Sequence, residues 1–508
     1  MKPNGQLQTR AKSPRLHTRL QQLLKEGIMG LRTVEQYKTS LRDGRVVYFR
    51  GQRVEDVTKH PVIGVAVNHA AIDYAIAHQP EHRDLAVCMD LATGQEYSRY
   101  FNIPANAEDL LKRSELIETS TRLGGTLVVL IKEIGTDCLF ALHLVAKQMD
   151  DKLGTEYFPR VRAIYEHCRN NDLAMAVAQT DVKGDRSRGP AAQDRPDYYV
   201  RVVGRRPEGI VVRGAKIHTS VTPNANELFV IPTRNLTEAD ADYAVAFCIP
   251  LSTPGLKQIA SPYGAGHDNA FTHPISSRHK MMETLTIFDD VFVPNERVFM
   301  NGEWQFAGAL AKTFVEFHRF TAISYKLPLL DLLVGSALLI AEQNGIERAG
   351  HVREKLTWLI SYAETVRMLT NVAAIHCTIK DGIAVPDAAA VNIAKLHFAS
   401  NYHQALMHVQ DLTGGLLVTG PGEEDLKNPE TGKYIDDYLG GAGGVSGEQR
   451  LRTINLISDL TTGEFGGYQA VLAIHAEGSL EAEKLTILRE YDQEHVKKYA
   501  RRIIGYST

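Results

Sequence analysis

The sequence predicts a multi-domain α+β fold, with an N-terminal helical domain, a central β-barrel or β-sandwich and a C-terminal antiparallel helical bundle. Two observations carry this prediction. The chain has 508 residues, which is more than a single hydrophobic core usually sustains. Its hydrophobic pattern also changes twice, from helical spacing to short alternating runs and back to helical spacing. These changes place the domains at 33–171, 172–300 and 301–480.

The N-terminal domain follows a basic segment, 1–32, that we predict to be a mobile tail. This segment lacks the apolar core of a secretory signal. The domain begins with Thr33-Val34-Glu35-Gln36, a capping box in which Thr33 caps the first turn and Gln36 reaches back to it. Apolar residues then recur three and four apart, which predicts helices at 110–123, 127–149 and 157–170.

Short runs of β-forming residues separated by turn residues define the central domain. The clearest of them are 198–203, 209–212 and 227–232. Long helical patterns follow at 303–345, 348–381, 386–414 and 449–474. Long helices with short joins predict an antiparallel bundle, and we expect 481–508 to form a C-terminal extension.

The composition excludes several classes of function. The formal charge of −3 gives no basic surface for nucleic acid or an anionic membrane. The sequence has no run of eighteen apolar residues, so it predicts no membrane-spanning helix. The five cysteines are far apart and form no CxxC pair, which favours reduced thiols in the cytoplasm over a cysteine-built metal site.

Two segments in the central domain are candidates for an anion or cofactor site. The segment 178–187, Ala-Gln-Thr-Asp-Val-Lys-Gly-Asp-Arg-Ser, can present backbone N–H groups to an anion or a flavin edge, although it is equally typical of a polar loop at a domain boundary. The segment 210–220 runs from an apolar strand through Gly214 into His218-Thr219-Ser220. It can place donors beside a flavin ring or form a simple hairpin.

Together these segments resemble the paired FAD-binding stretches of the 4-hydroxyphenylacetate 3-monooxygenase / 4-hydroxybutyryl-CoA dehydratase flavoprotein superfamily. Further landmarks match in order, over roughly residues 33–490. They are 37–45, 56–61, 242–247, 288–294, 317–319 and 412–416. The resemblance implies an acyl-CoA dehydrogenase-like fold with FAD between the β domain and the bundle. It also implies a homotetramer, or a dimer of the same kind. The order of helical, β and helical domains is also the layout of the acyl-CoA dehydrogenase-like flavoproteins.

The resemblance also implies the residues that contact the cofactor. The first segment contributes Gln179, Thr180, Lys183, Gly184, Asp185 and Arg186. The second contributes His218, Thr219 and Ser220, and the turn Thr413-Gly414-Gly415 is expected near the FAD of a neighbouring subunit.

The dehydratase branch of this superfamily uses an iron–sulfur cluster held by three cysteines and one histidine. The histidine is present as His318, but the cysteine positions match Val129, Glu133 and Tyr325. Valine cannot ligate iron, and Glu and Tyr do not usually replace thiolates in such clusters. We therefore expect no iron–sulfur cluster and no other metal.

The hydroxylase branch needs only reduced FAD and oxygen, but its phenol-binding Arg, Tyr and His match Ile134, Cys138 and Val177. 4-Hydroxyphenylacetate is therefore not the expected substrate. By position in the family, Cys138 and Tyr325 are candidate substrate contacts. Arg278, in a stretch similar to the hydroxylase branch, is a candidate for binding a substrate anion.

His318 and Glu283 are the candidate catalytic residues. An imidazole titrates near neutrality, which suits abstraction of a phenolic or α-proton, and Glu283 matches an active-site carboxylate of the family. A histidine satisfied within a helix and a surface acid at the end of a strand remain the alternatives for the two residues.

These observations predict an FADH2-dependent monooxygenase, the oxygenase component of a two-component system, that hydroxylates an aromatic, phenolic small molecule. A separate reductase is expected, because the sequence has no GxGxxG nicotinamide motif in a βαβ setting. The alternative is an FAD-containing acyl-CoA isomerase or dehydratase-like enzyme without the cluster. A flavin-free scaffold is a third possibility, and the intact flavin segments argue against it.

Overall fold

The computed structural model describes residues 30–263 and 268–505. The predicted tail at 1–32 therefore lies outside the described residues except for its last three positions. The capping box is confirmed, because the Thr33 hydroxyl accepts from Gln36 N and the Gln36 side chain accepts from Thr33 N.

The N-terminal region is mainly helical. Its helices are α1 (Val34–Ser40), α2 (Ile63–Ala70), α3 (Ile72–Ala75), α4 (Arg83–Ala86), α5 (Ala107–Leu123), α6 (Glu133–Leu153) and α7 (Tyr157–Asn170). The helix predicted at 127–149 starts later than expected, at Glu133. The reason is that Thr126 and Leu130 have left-handed backbones, with φ of 76° and 70°, which no α-helix accommodates.

Two sheets form the central region, and the N-terminal region contributes strands to one of them. The strands are β1 (Val47–Phe49), β2 (Gln52–Val54), β3 (Val87–Met89), β4 (Glu96–Ser98), β5 (Met175–Ala178), β6 (Arg201–Arg206), β7 (Gly209–Ser220), β8 (Glu227–Val230), β9 (Val245–Pro250), β10 (Leu256–Ala260), β11 (Glu283–Pro294) and β12 (Val298–Asn301). The six-stranded sheet has the order β2-β1-β10-β11-β7-β6, and the four-stranded sheet has the order β12-β9-β8-β5.

A closed barrel, one of the two predicted arrangements, is wrong for the described residues. Both sheets keep free edges, at β2 and β6 and at β12 and β5. The sheets are in contact through Phe247 of β9 and Phe288 of β11, whose rings meet edge to face at 5.9 Å. Strands β3 and β4 form a separate hairpin.

Long helices form the C-terminal region, as predicted. They are α8 (Trp304–Gln343), α9 (Gly350–Ile375), α10 (Ala388–Thr413), α11 (Leu416–Thr419), α12 (Glu423–Lys427), α13 (Gly432–Leu439), α14 (Gly447–Thr461), α15 (Glu464–His475), α16 (Leu480–Glu490) and α17 (Gln493–Ile503). A short hairpin of β13 (Thr378–Lys380) and β14 (Ile383–Val385) joins α9 to α10. Helices α8, α9, α10 and α14 pack against one another.

Helix α8 is the central element of this region. Within the described residues it is the one helix long and apolar enough to cross a membrane by length and composition, and 61% of its most apolar stretch is buried inside the protein. Its middle third, around His318, packs on α6 and α5, so α8 joins the N-terminal and C-terminal helical regions.

Buried ion pairs attach α16 to the bundle. Lys395 of α10 lies 3.2 Å from Glu483 of α16, and both side chains are fully buried. Lys326 of α8 lies 3.0 Å from Glu477, just before α16. Because Glu483 has no hydrogen-bond donor besides this ion pair among the described residues, Lys395 is the group that neutralises it.

We expect Lys395→Met to destabilise the protein by about 3–5 kcal/mol, because it leaves the Glu483 charge buried and unpaired. A large fall in the thermal midpoint and faster proteolysis ahead of α16 are the expected measurements. Lys484→Met is the matched control, since Lys484 forms an exposed pair with Glu481 that is worth little. Equal midpoints for the two variants would contradict this account of the attachment.

Candidate active site

A buried histidine–aspartate pair lies where α8 packs on α6. His318 Nδ1 is 3.1 Å from Asp137 Oδ2, and the His318 ring stacks on Phe314. The other oxygen of Asp137 accepts from Arg113 at 2.7 Å and from the Thr321 hydroxyl at 3.0 Å. An aspartate bound this way accepts the Nδ1 proton of His318, which leaves Nε2 unprotonated in the neutral ring. In this arrangement Nε2 of His318 can accept a proton, which is the chemistry of a base.

Asp137 and Arg113 were missed as functional residues. The sequence did contain a signal for Asp137, since this single acid precedes the apolar run 138–142 in a buried helix. A buried acid needs a partner, so its position indicates a paired charge. Its partners, Arg113 and His318, are 24 and 181 residues away in the sequence.

The positions that match cluster cysteines do not form a metal site. Val129 and Glu133 are fully buried, and Tyr325 is half-buried. In the described parts of the chain, no three His, Cys, Asp or Glu side chains are grouped to hold a metal ion. Valine has no donor atom, so this set of side chains does not fit an iron–sulfur cluster.

The candidate substrate residues lie in different environments. Cys138 is fully buried, and burial raises the pKa of its thiol well above the ordinary value, so it contributes packing and not chemistry. Tyr325 lies beneath Lys326, whose Nζ is 4.3 Å from the ring centre. Arg278 is exposed. The structure does not bring these three residues into direct contact with one another.

Glu283 lies at a junction between the six-stranded sheet and the C-terminal helices. It begins β11, opposite Ser220 at the end of β7. The Ser220 hydroxyl is 2.9 Å and 3.0 Å from its two oxygens, and the Tyr468 hydroxyl of α15 is 2.9 Å from Oε1. Burial raises the pKa of Glu283, and the two hydroxyls partly oppose this rise. Tyr468 was missed in the sequence.

The second flavin segment is only partly free to contact a cofactor. His218 is exposed and has a left-handed backbone, with φ of 56°. Thr219 is buried, and its hydroxyl accepts from Thr286 at 3.1 Å. Ser220 binds Glu283. The side chains of Thr219 and Ser220 are thus used inside the protein, contrary to a direct flavin contact through both.

The first flavin segment is a loop fixed against β7. The Lys216 ammonium donates to Gln179 O at 2.7 Å, and Ile217 N donates to Thr180 O at 2.9 Å. Gln193 binds both N and O of Asp185, at 3.0 Å and 2.7 Å. Gly184 has a φ of +53°, and a Cβ there would lie 2.4 Å from the Tyr198 ring. These contacts therefore hold the loop in one conformation, and position 184 requires glycine.

Three cations lie in or near this loop, Lys183, Arg186 and Arg234. Lys183 is half-buried, and burial followed by the nearby Arg186 and Arg234 lowers its pKa, against the opposing effect of Asp181. Asp181 itself pairs with Lys216 at 2.8 Å. Among the described residues, none of the ion pairs involves Lys183, Arg186 or Arg234. Such a set fits an anion, and the diphosphate of FAD is of the right chemical class.

The turn Thr413-Gly414-Gly415 ends α10. The Thr413 hydroxyl is buried and donates to Val409 O at 2.7 Å, whereas both glycines are exposed. Gln410 donates to Thr461 O at 3.0 Å, which ties this end of α10 to the end of α14. Its predicted contact lies with a neighbouring subunit, so it remains a prediction.

Comparison with known proteins identifies the family of this chain. Two family models cover most of the chain, the 4-hydroxyphenylacetate 3-hydroxylase N-terminal model over residues 33–300 and the C-terminal model over residues 307–505. The chain is 31% identical over 466 residues to the 4-hydroxyphenylacetate 3-monooxygenase oxygenase component of Thermus thermophilus, covering 91% of this chain and 94% of that protein. It is 30% identical over 495 residues to the 4-hydroxybutyryl-CoA dehydratase/vinylacetyl-CoA-Δ-isomerase of Clostridium aminobutyricum, covering 94% and 99%.

Solved structures of both kinds share the fold. An oxygen-tolerant archaeal 4-hydroxybutyryl-CoA dehydratase from N. maritimus matches with a TM-score of 0.88 at 30% identity, over 94% of this chain and 96% of that chain. The oxygenase component of a 4-hydroxyphenylacetate 3-monooxygenase, complexed with FAD, matches with a TM-score of 0.86 at 29% identity, over 93% and 98%. The chain therefore belongs to the 4-hydroxyphenylacetate 3-hydroxylase family.

Proposed function

We propose that this protein is an FADH2-dependent monooxygenase, the oxygenase component of a two-component system, that hydroxylates an aromatic, phenolic small molecule. One observation carries the proposal. His318, whose family counterpart in the dehydratase branch is a cluster ligand, is here a base bound to Asp137, among positions that cannot hold a cluster. Without a cluster, the reaction would rely on flavin chemistry and on acid–base chemistry.

FAD would be held between the six-stranded sheet and the helices, as in an acyl-CoA dehydrogenase-like fold. Lys183 and Arg186 would bind its phosphates, with Arg234 close by. Burial, Lys183 and His475 of α15 lower the pKa of His218 of β7, so polar groups of the sheet and of α15 lie near each other here. The chemistry supplied by reduced FAD, when bound, is the reduction of O2 such that one oxygen atom enters the ring and the other leaves as water.

His318 activates the substrate. Nε2 takes the phenolic proton, and Asp137 stabilises the imidazolium that forms. The resulting phenolate makes the ring carbon beside the hydroxyl electron-rich, which is the state that accepts oxygen. Ile134, one turn before Asp137, is buried and helps to exclude water from the ring.

A reductase and further copies of the chain complete the proposed system. The relatives named as oxygenase components support a separate reductase. Exposed apolar residues on one face of α9 support the proposed homotetramer. They are Ile360, Met368, Val372 and Ile375. All five cysteines are free, which suits a cytoplasmic protein.

An FAD-containing acyl-CoA isomerase is the second candidate, and a specific observation favours it. Ile134, Cys138 and Val177 are buried apolar side chains where the hydroxylase branch binds its phenol. In this reaction His318 removes an α-proton from an unsaturated acyl-CoA, and Glu283 returns a proton at the γ-carbon. The raised pKa of Glu283 suits a proton donor. The similarity to the dehydratase/isomerase of Clostridium aminobutyricum supports this reading.

Oxygen use separates the two candidates. We expect the protein, given reduced FAD, isotopically heavy O2 and a panel of phenols, to form a hydroxylated product that carries the heavy atom. Product formed should equal oxygen consumed after subtraction of released peroxide. Conversion of a β,γ-unsaturated acyl-CoA without oxygen, with no labelled phenol product, would replace the monooxygenase by the isomerase.

Asp137→Asn should lower kcat by roughly 10²–10⁴-fold, because the amide no longer fixes the tautomer of His318 or stabilises its cation. KM should change little. Asp151→Asn, at the exposed end of the same helix, is the matched control. Because Asp137 also pairs with buried Arg113, thermal midpoints of both variants must be compared. A folded Asp137→Asn protein with full activity would remove His318 from the mechanism.

Lys183→Gln should weaken FAD binding by roughly 10- to 150-fold, since a charge-assisted contact contributes about 1.5–3 kcal/mol. Equilibrium titration of the apoprotein followed by flavin fluorescence measures this directly. Arg188→Gln is the matched control in the same loop, because Arg188 is already paired with Asp185 and Asp194. Equal affinity in both variants would place the phosphates elsewhere.

A further inference from the structure

We infer that Tyr468 and Ser220 form a hydroxyl clamp that fixes the carboxyl of Glu283, and that Tyr468 is a positioning residue for the reaction. The clamp spans two parts of the fold, because Ser220 ends β7 of the sheet and Tyr468 belongs to α15. For its catalytic meaning the inference rests on the acyl-CoA isomerase candidate of the proposed function, the reaction in which Glu283 transfers a proton.

The two oxygens of Glu283 are bound unequally. Oε1 is 2.9 Å from both the Ser220 and the Tyr468 hydroxyl, whereas Oε2 meets only Ser220, at 3.0 Å. A carboxyl oxygen has two lone pairs. The one hydroxyl proton of Ser220 is shared between the two oxygens, whereas the Tyr468 proton goes to Oε1 alone. Oε2 therefore has more free lone-pair capacity to carry or accept a reacting proton, and the clamp favours it as the oxygen that exchanges a proton.

Close backbone contacts fix the helix that carries Tyr468. A Cβ on Gly466 would lie 2.7 Å from the carbonyl carbon of Thr461, so this glycine lets α15 start directly against the end of α14. A Cβ on Gly467 would lie 2.8 Å from the Tyr263 hydroxyl. The Tyr263 hydroxyl ends an exposed side chain, so the constraint on the start of α15 comes from the backbone contact at Gly466.

The segment that leads into Glu283 is fastened to the same pair of helices. The Asp459 carboxylate of α14 accepts from Ile275 N at 2.8 Å, from Ser276 N at 2.9 Å and from the Ser276 hydroxyl at 2.6 Å. Glu283 and Tyr468 are thus each connected to the end of α14, one through the chain that precedes β11 and one through α15. This shared attachment to α14 keeps the Tyr468 hydroxyl and the Glu283 carboxyl at fixed positions relative to each other.

The clamp also sets the proton affinity of Glu283. Among the described residues, burial, Tyr468 of α15 and Ser220 of β7 are the influences that act on it, and no charged side chain contributes. Burial raises the pKa of Glu283, and each hydroxyl lowers it because it stabilises the ionised form. Loss of either hydroxyl must therefore raise the pKa further, so that Glu283 stays protonated to higher pH.

Infrared spectroscopy of the apoprotein tests this without any substrate. The protein is labelled with carbon-13 glutamate, and the Glu283→Gln spectrum is subtracted to isolate the Glu283 carboxyl band during a pH titration. We expect Tyr468→Phe to move the midpoint up by about one pH unit, the equivalent of one hydrogen bond. Ser220→Ala should move it in the same direction, and Tyr491→Phe, at an exposed tyrosine, should not move it.

Kinetics then separate positioning from a purely structural role. Tyr468→Phe should lower kcat about tenfold with little change in KM, and should have no further effect in a Glu283→Gln background. An unmoved infrared midpoint in both clamp variants would overturn the inference whatever reaction the protein catalyses. A shifted midpoint in a protein inactive towards phenols and acyl-CoA esters would uphold the clamp and reject the proposed function.

Discussion

The antiparallel pairing of β7 with β11 is the constraint on which the candidate site depends. Its register sets Ser220 opposite Glu283 at one end. Farther along β7, Lys216 binds Gln179 O and Asp181, both in the loop 178–187. A slip of one residue would turn all these side chains to the opposite face of the sheet. The long pairing, twelve residues in each strand, therefore positions both the acid and the loop.

Several buried charges have close partners. Lys132 lies 2.7 Å from Asp172. Burial alone would raise the pKa of Glu227, but Arg297 and His167 bring it down to about 2. Lys183, by contrast, has no ion pair among the described residues and a pKa lowered by burial. A half-buried cation of this kind suits an anionic ligand.

The sequence predicted the order of helical, β and helical regions because that order is written in local periodicity. It did not predict that β1 joins the central sheet, since a three-residue strand has no measurable period and its partner, β10, lies about 210 residues further on. The same limit explains the missed site residues. Asp137 and Tyr468 act through His318 and Glu283, 181 and 185 residues away, and only the folded chain brings such partners together.

The acid–base groups also restrict the substrate. An imidazole base can remove only a proton that is already acidic. The β-proton of a saturated acyl thioester is not acidic enough without an iron–sulfur cluster, which the side chains of Val129 and Tyr325 do not fit. A phenol and the α-carbon of an unsaturated thioester both meet the requirement, because the resulting anion is delocalised. A site with His318 but without cluster ligands requires the same property of both candidate substrates. That property is an acidic proton next to an extended π system.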